Sequence, residues 1–292
     1  MAWFIILAVI GSLLALGLPP DPHTLQQLNI SSMEYRLAIL ALLIPYGVIW
    51  YTAFYAFEKL RLYAHSIKGF DDGKAFQSIM VGMGVLAFGL IVPMITALIM
   101  NNIVMHNDAF KPASVIIENY VSLLFELIAF IYINNGTYKL LTLSKNKASL
   151  AGMRNFALII ISLSVIFTAL VMNYHSQHEV YYLNTPVLIV TFIIPQLFAW
   201  FVAILSAYQF RLYAKFANGL LYRKLLSQLS NGIVVAITGA IAIQFVDNTF
   251  AAKFKHSLGA ILVIDYILLA IIAWGLILMA LGAKKLKKIE DA

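Results

Sequence analysis

Apolar runs long enough to cross a bilayer alternate with short polar stretches along this chain. Eight can be marked, at 2–19, 36–57, 79–100, 117–136, 156–173, 187–207, 230–250 and 260–282. About 20 helical residues cross a hydrocarbon core of roughly 30 Å, so eight transmembrane helices are predicted. Lipid offers the backbone no hydrogen-bond partner, so each run must satisfy itself as a helix, and the uneven connections do not suit a barrel. The expected class is an all-α, multi-pass integral membrane protein.

A second pattern lies over the first. When the chain is slid by 150 residues, "IPYGVIWYTAFYAFEKLRLYAHSIKG" falls on "IPQLFAWFVAILSAYQFRLYAKFANG" without a gap. Pro45 meets Pro195, Trp50 meets Trp200, Arg61 meets Arg211, Gly82 meets Gly232 and Gly89 meets Gly239. Over 44–91 there are 14 identities in 48 positions, and chance similarity between greasy helices would not also match Pro, Trp, Arg and Gly. Further on the offset becomes 146, placing Asn119-Tyr120 on Asp265-Tyr266. The chain therefore reads as two four-helix units, 1–150 and 151–292. An even number of spans in each makes them direct repeats, related by a pseudo-twofold along the membrane normal.

Composition agrees with lipid: 62% of residues are apolar and 11% charged, where soluble domains carry about a quarter charged. With no cysteine, disulfides, thiolate metal sites and iron–sulfur centres are excluded. The 20 Lys and Arg residues sit at or beyond the ends of the apolar runs. Sixteen follow even-numbered spans, including the tail lysines 284, 285, 287 and 288, and four (Arg36, Lys111, Lys253, Lys255) lie opposite. By the positive-inside rule both termini are expected in the cytoplasm. The net charge of +7 then faces anionic headgroups, and a nucleic-acid partner has no basic domain to bind. The run 2–19 resembles a secretory signal, but no cation precedes it and it has a counterpart in the second unit, so it is expected to stay as a span.

The duplicated stretch around Arg61 and Arg211 predicts a helical hairpin rising into the cytoplasm from each unit. Gly69 suits the left-handed position that ends a helix, and Asp71 or Asp72 can cap the next. Arg61, Tyr63, Arg211 and Tyr213 are candidate docking residues for a protein partner, or headgroup anchors. The glycines seven apart in each unit predict close helix packing, and Pro45, Pro93 and Pro195 predict kinks.

The most informative polar feature is "IIENYVSLLFELIAFIYINN", which places Glu118, Ser122 and Glu126 on one helical face. Glu126 lies at mid-span with no Lys or Arg at that depth, and its repeat counterpart is Ile272. A lone midplane carboxylate suits either a structural hydrogen bond or a proton or cation pathway. Asn231, Thr238, Gln244 and Asp247 on the seventh run are candidate companions, Gln244 and Asp247 being retained with Glu118, Ser122 and Glu126 as pathway residues.

His23, His106, His175, His178 and His256 fall in outer loops, where solvated histidines are the ordinary reading even for "HSQHE". No phosphate loop, nucleophile elbow or metalloprotease helix occurs, so no catalytic residue, metal site or cofactor is expected. Two functions follow: a small-solute or ion transporter using Glu126, or a non-catalytic subunit or sensor docking a partner through its hairpins. A polar cavity reaching Glu126 would favour the first, and a sealed bundle the second.

Overall fold

The computed structural model describes residues 31–89, 111–143, 194–216, 220–249 and 258–290, together with Ile159, Ser162 and Ile166. The predicted runs 2–19 and 156–173, Pro93 and the five outer-loop histidines lie outside these residues, apart from those three positions. Six helices are described, and no strand occurs among the described residues. They are α1 (Ser32–Ser66), α2 (Asp71–Gly89), α3 (Lys111–Leu143), α4 (Ile194–Phe216), α5 (Leu220–Thr249) and α6 (Leu258–Glu290). By length and composition, α4 and the Val263–Ile289 part of α6 can cross a membrane.

Local chemistry sets the ends of α1. Ser31 caps it: its hydroxyl accepts from the Glu34 amide at 3.2 Å, and the Ser31 amide donates to the Glu34 carboxylate at 2.7 Å. This reciprocal pair satisfies two amides that the first turn leaves open. The C-terminal stop differs from the expectation at Gly69. The helix ends at Ser66 with Ile67 as its cap, and Gly69 does not take a left-handed φ. Gly73 is the glycine the turn requires, since a Cβ there would sit 2.2 Å from the Ile67 carbonyl oxygen. Asp71 and Asp72 open α2, where carboxylates complement the helix dipole. Pro45 lies inside an unbroken α1.

The helices close a ring in which each packs on two neighbours: α1 on α2, α2 on α3, α3 on α4, α4 on α5, α5 on α6, and α6 on α1. Glycines set the closest approaches. A Cβ on Gly82 would lie 2.6 Å from the Ala129 carbonyl oxygen of α3, and one on Gly232 would lie 2.7 Å from that of Gly275 on α6. Gly136 faces Ala75 and Ile79, whereas Gly282 faces Leu225 and Leu229. The contacts on α5 and α6 thus repeat those on α2 and α3 at offsets of 150 and 146 positions. In lipid such backbone approach substitutes for the missing hydrophobic drive between helices. Large apolar side chains also face outward, among them Ile44, Val48, Leu124, Ile204, Val263, Ile267 and Trp274. A water-facing surface rarely carries so much apolar area, and lipid accommodates it.

Candidate functional site

Glu126 sits on α3 where it packs against α4, and it accepts a hydrogen bond of 2.5 Å from Nε2 of Gln196. Gln196 is buried and Glu126 half-buried. The companions expected from sequence on the seventh run do not take this place. Asn231 and Thr238 are exposed on α5, and the Thr238 hydroxyl donates to the Val234 carbonyl of its own helix at 2.8 Å. The side chains of Glu118, Ser122, Gln244 and Asp247 lie outside the described residues.

Toward the end that carries the hairpins, the α3–α4 seam stays polar. Asn134 donates to the Ser206 hydroxyl at 3.0 Å and to Gln209 Oε1 at 3.4 Å, and Thr137 donates to the same Oε1 at 2.9 Å. All four residues are buried. Asn134 Oδ1 and Gln209 Nε2 have no hydrogen-bond partner among the described residues. Sequence reasoning missed this cluster, although a signal existed: Asn134 is eight residues past Glu126 and continues the 118–122–126 stripe. On α4, Gln196, Ser206 and Gln209 are scattered among alanines and leave no comparable pattern.

The matching positions on the opposite seam, α6 against α1, are chemically different. Ile272, Ala280 and Ala283 stand where Glu126, Asn134 and Thr137 stand on α3. Tyr46 and Ala56 stand where Gln196 and Ser206 stand on α4. Lys59 stands where Gln209 stands, so the buried side-chain network of the α3–α4 junction has no counterpart at these positions of the α6–α1 junction.

Inside the ring is a cavity of about 30 Å³, lined by apolar residues that include Met83, Phe130, Ala203, Ile237, Leu276 and Met279. That is room for about one water, and the walls offer it no polar partner. The cavity does not reach Glu126. A carboxyl that accepts from a side-chain amide is well served by a static hydrogen bond, so the Glu126–Gln196 pair by itself commits to no proton traffic.

At the hairpin end Arg61 and Arg211 are exposed, Arg61 being paired with Glu58 at 3.1 Å. Tyr63 and Tyr213 are not on that surface. Both are buried, and both reach across the ring: the Tyr63 and Tyr222 hydroxyls lie 2.9 Å apart, and Tyr213 donates to Asp72 at 2.6 Å. Beneath them Tyr63, Phe76 and Phe210 pack edge to face, with centroids 4.9 and 6.0 Å apart. These tyrosines clamp the two hairpins together and leave the arginines outside. Among the described residues no three His, Asp or Glu side chains gather as a metal site would require. Comparison with known proteins returns no matching family model, no matching curated protein and no matching solved structure.

Proposed function

We propose that the chain is a non-catalytic membrane subunit that docks a protein partner on its paired cytoplasmic hairpins. It is read as eight spans, with both termini in the cytoplasm, forming two direct four-helix repeats about a pseudo-twofold along the membrane normal. The repeated glycine contacts and the order of packing around the ring support the repeat, since exchanging α1, α2 and α3 with α4, α5 and α6 leaves that order unchanged.

The observation that carries the docking reading is the tyrosine clamp. Tyr63 with Tyr222, and Tyr213 with Asp72, join two hairpins distant in sequence into one face that carries Arg61 and Arg211. Headgroup anchoring would need no such clamp. The cavity described inside the ring is small and apolar, which argues in the same direction, because a polar solute in lipid needs polar walls. The test is co-purification from the native membrane with Arg61→Ala and Arg211→Ala combined. The partner should be lost while the bundle elutes unchanged; equal recovery of every associated protein would refute docking.

Transport is the second reading, favoured by one observation: the Glu126 carboxyl sits beside Gln196 at mid-depth in the polar seam. It requires that Glu126→Gln abolish proton flux in liposomes.

A further inference from the structure

We infer that the hairpin tips bind an acidic, amphipathic protein segment, with Phe70, Phe216 and Leu221 as its apolar contacts. This rests on the docking reading and names the chemistry of the partner.

Height is the first ground. The second apolar run ends at Phe57 and α1 continues nine residues to Ser66; the sixth ends at Ala207 and α4 continues nine to Phe216. Nine helical residues rise about 14 Å, whereas the headgroup layer on each side is roughly 5–8 Å thick. The tips therefore stand clear of the lipid. Yet Phe70 is 64% exposed, Leu221 60% and Phe216 51%. Outward apolar residues lower on the helices are accounted for by acyl chains, and these three are not.

Charge is the second ground. Lys59, Arg61, Lys68 and Lys74 accompany Glu58, Asp71 and Asp72 in the first hairpin, while Arg211, Lys215, Arg223 and Lys224 stand in the second with no acid at all over 208–228. The two hairpins together carry these eight cations against three acids, all three acids in the first, so the shared face is net positive and most so along the second hairpin. The clamp makes it one surface: Phe70 is two residues from Asp72, Phe216 three from Tyr213, and Leu221 adjoins Tyr222. Aromatic anchors rimmed by cations complement a segment with an apolar stripe and an acidic border. An anionic membrane would answer the cations but not apolar residues held above their own bilayer.

The experiment places the photo-crosslinker benzoylphenylalanine at position 70 or 216 of the full chain in its native membrane, with position 263 as the lipid-facing control. Adducts are digested and the captured peptides sequenced. Positions 70 and 216 should both capture one protein through a net-acidic segment containing apolar residues. Combining Lys68→Glu with Lys215→Glu, two exposed positions, should cut the yield about tenfold, the scale on which reversed rim charges act. Position 263 should yield lipid. Lipid adducts at 70 and 216 would make the face a membrane contact, and a captured segment that is basic, or insensitive to the charge reversal, would also overturn the proposal. If a partner still co-purifies through Arg61 and Arg211 but nothing is captured at 70 or 216, docking stands and this inference falls. Loss of both signals removes both.

Discussion

Tyr266 on α6 donates its hydroxyl to the carbonyl oxygen of Ala41 on α1, the acceptor that Pro45, four residues on, leaves without its helical donor. A neighbouring helix thus supplies the donor that the proline inside α1 removes. It also pins α6 to α1.

Tyr266→Phe should therefore destabilise the bundle by about 1 kcal/mol, the scale of a hydrogen bond in a membrane protein. Pro45→Ala supplies the missing amide, so in that background the same change should cost almost nothing. Unfolding in mild detergent measures the cycle. Equal costs in both backgrounds would show that the tyrosine hydroxyl does not stand in for the amide that Pro45 lacks.

The glycines separate contact from propensity. Gly82→Ala and Gly232→Ala both push a methyl against a backbone carbonyl at 2.6–2.7 Å, and each should cost about 1–3 kcal/mol. Beyond its chain neighbours and the helix's own nearby backbone, no atom lies within 4 Å of the place a methyl on Gly47 would take, so Gly47→Ala should stabilise its helix by about 0.5–1 kcal/mol. Thermal stability of the three variants in one detergent gives the comparison. A neutral Gly232→Ala would mean that α5 and α6 are not so close.

At the polar seam, Glu126→Gln keeps an acceptor for Gln196 and should leave stability within about 0.5 kcal/mol. Glu126→Leu strands a buried amide and should cost about 1–3 kcal/mol. The docking reading requires both variants to retain the partner wherever they fold. Abolished proton flux in Glu126→Gln would put transport first.

The Glu34 carboxyl lies below its ordinary range because the Ser31 amide, and then the Ser31 hydroxyl, hydrogen-bond to it. Its folded pKa is depressed, so the cap is fully formed above the ordinary carboxylate range and is lost as pH falls through the folded value. The protection of the Ser31 and Glu34 amides, exchange being taken relative to its intrinsic rate at each pH, should therefore fall on acidification. Ser31→Ala should show low protection throughout, and a wild-type protection that does not change with pH would contradict the capping box.

What could be read in the sequence was what repeats or is local. The capped start of α1 at Ser31 lies near the predicted helical start at 36, and the paired glycines lie at close contacts. Gly69 misled because the α1–α2 turn places its close backbone approach between Ile67 and Gly73, six residues apart, and holds residue 69 outside the left-handed region. Glu126 stood out by charge, but its partner did not, since a lone Gln196 in an alanine-rich helix has no pattern of its own. Tyr63 and Tyr213 read as surface residues because they neighbour arginines. The ring geometry that buries them depends on residues 159 and 141 positions distant in sequence, Tyr222 and Asp72.

The proposal that the apolar cavity inside the ring is closed to water is best tested with single cysteines, which this cysteine-free chain makes unambiguous. Ala203→Cys and Ile237→Cys line the central cavity, and Phe70→Cys stands at a hairpin tip. With a membrane-impermeant thiol reagent on sealed vesicles of known orientation, position 70 should react from the cytoplasmic side and positions 203 and 237 from neither. Modification of 203 or 237 from the water phase would reveal an aqueous path through the ring and contradict the proposed docking subunit.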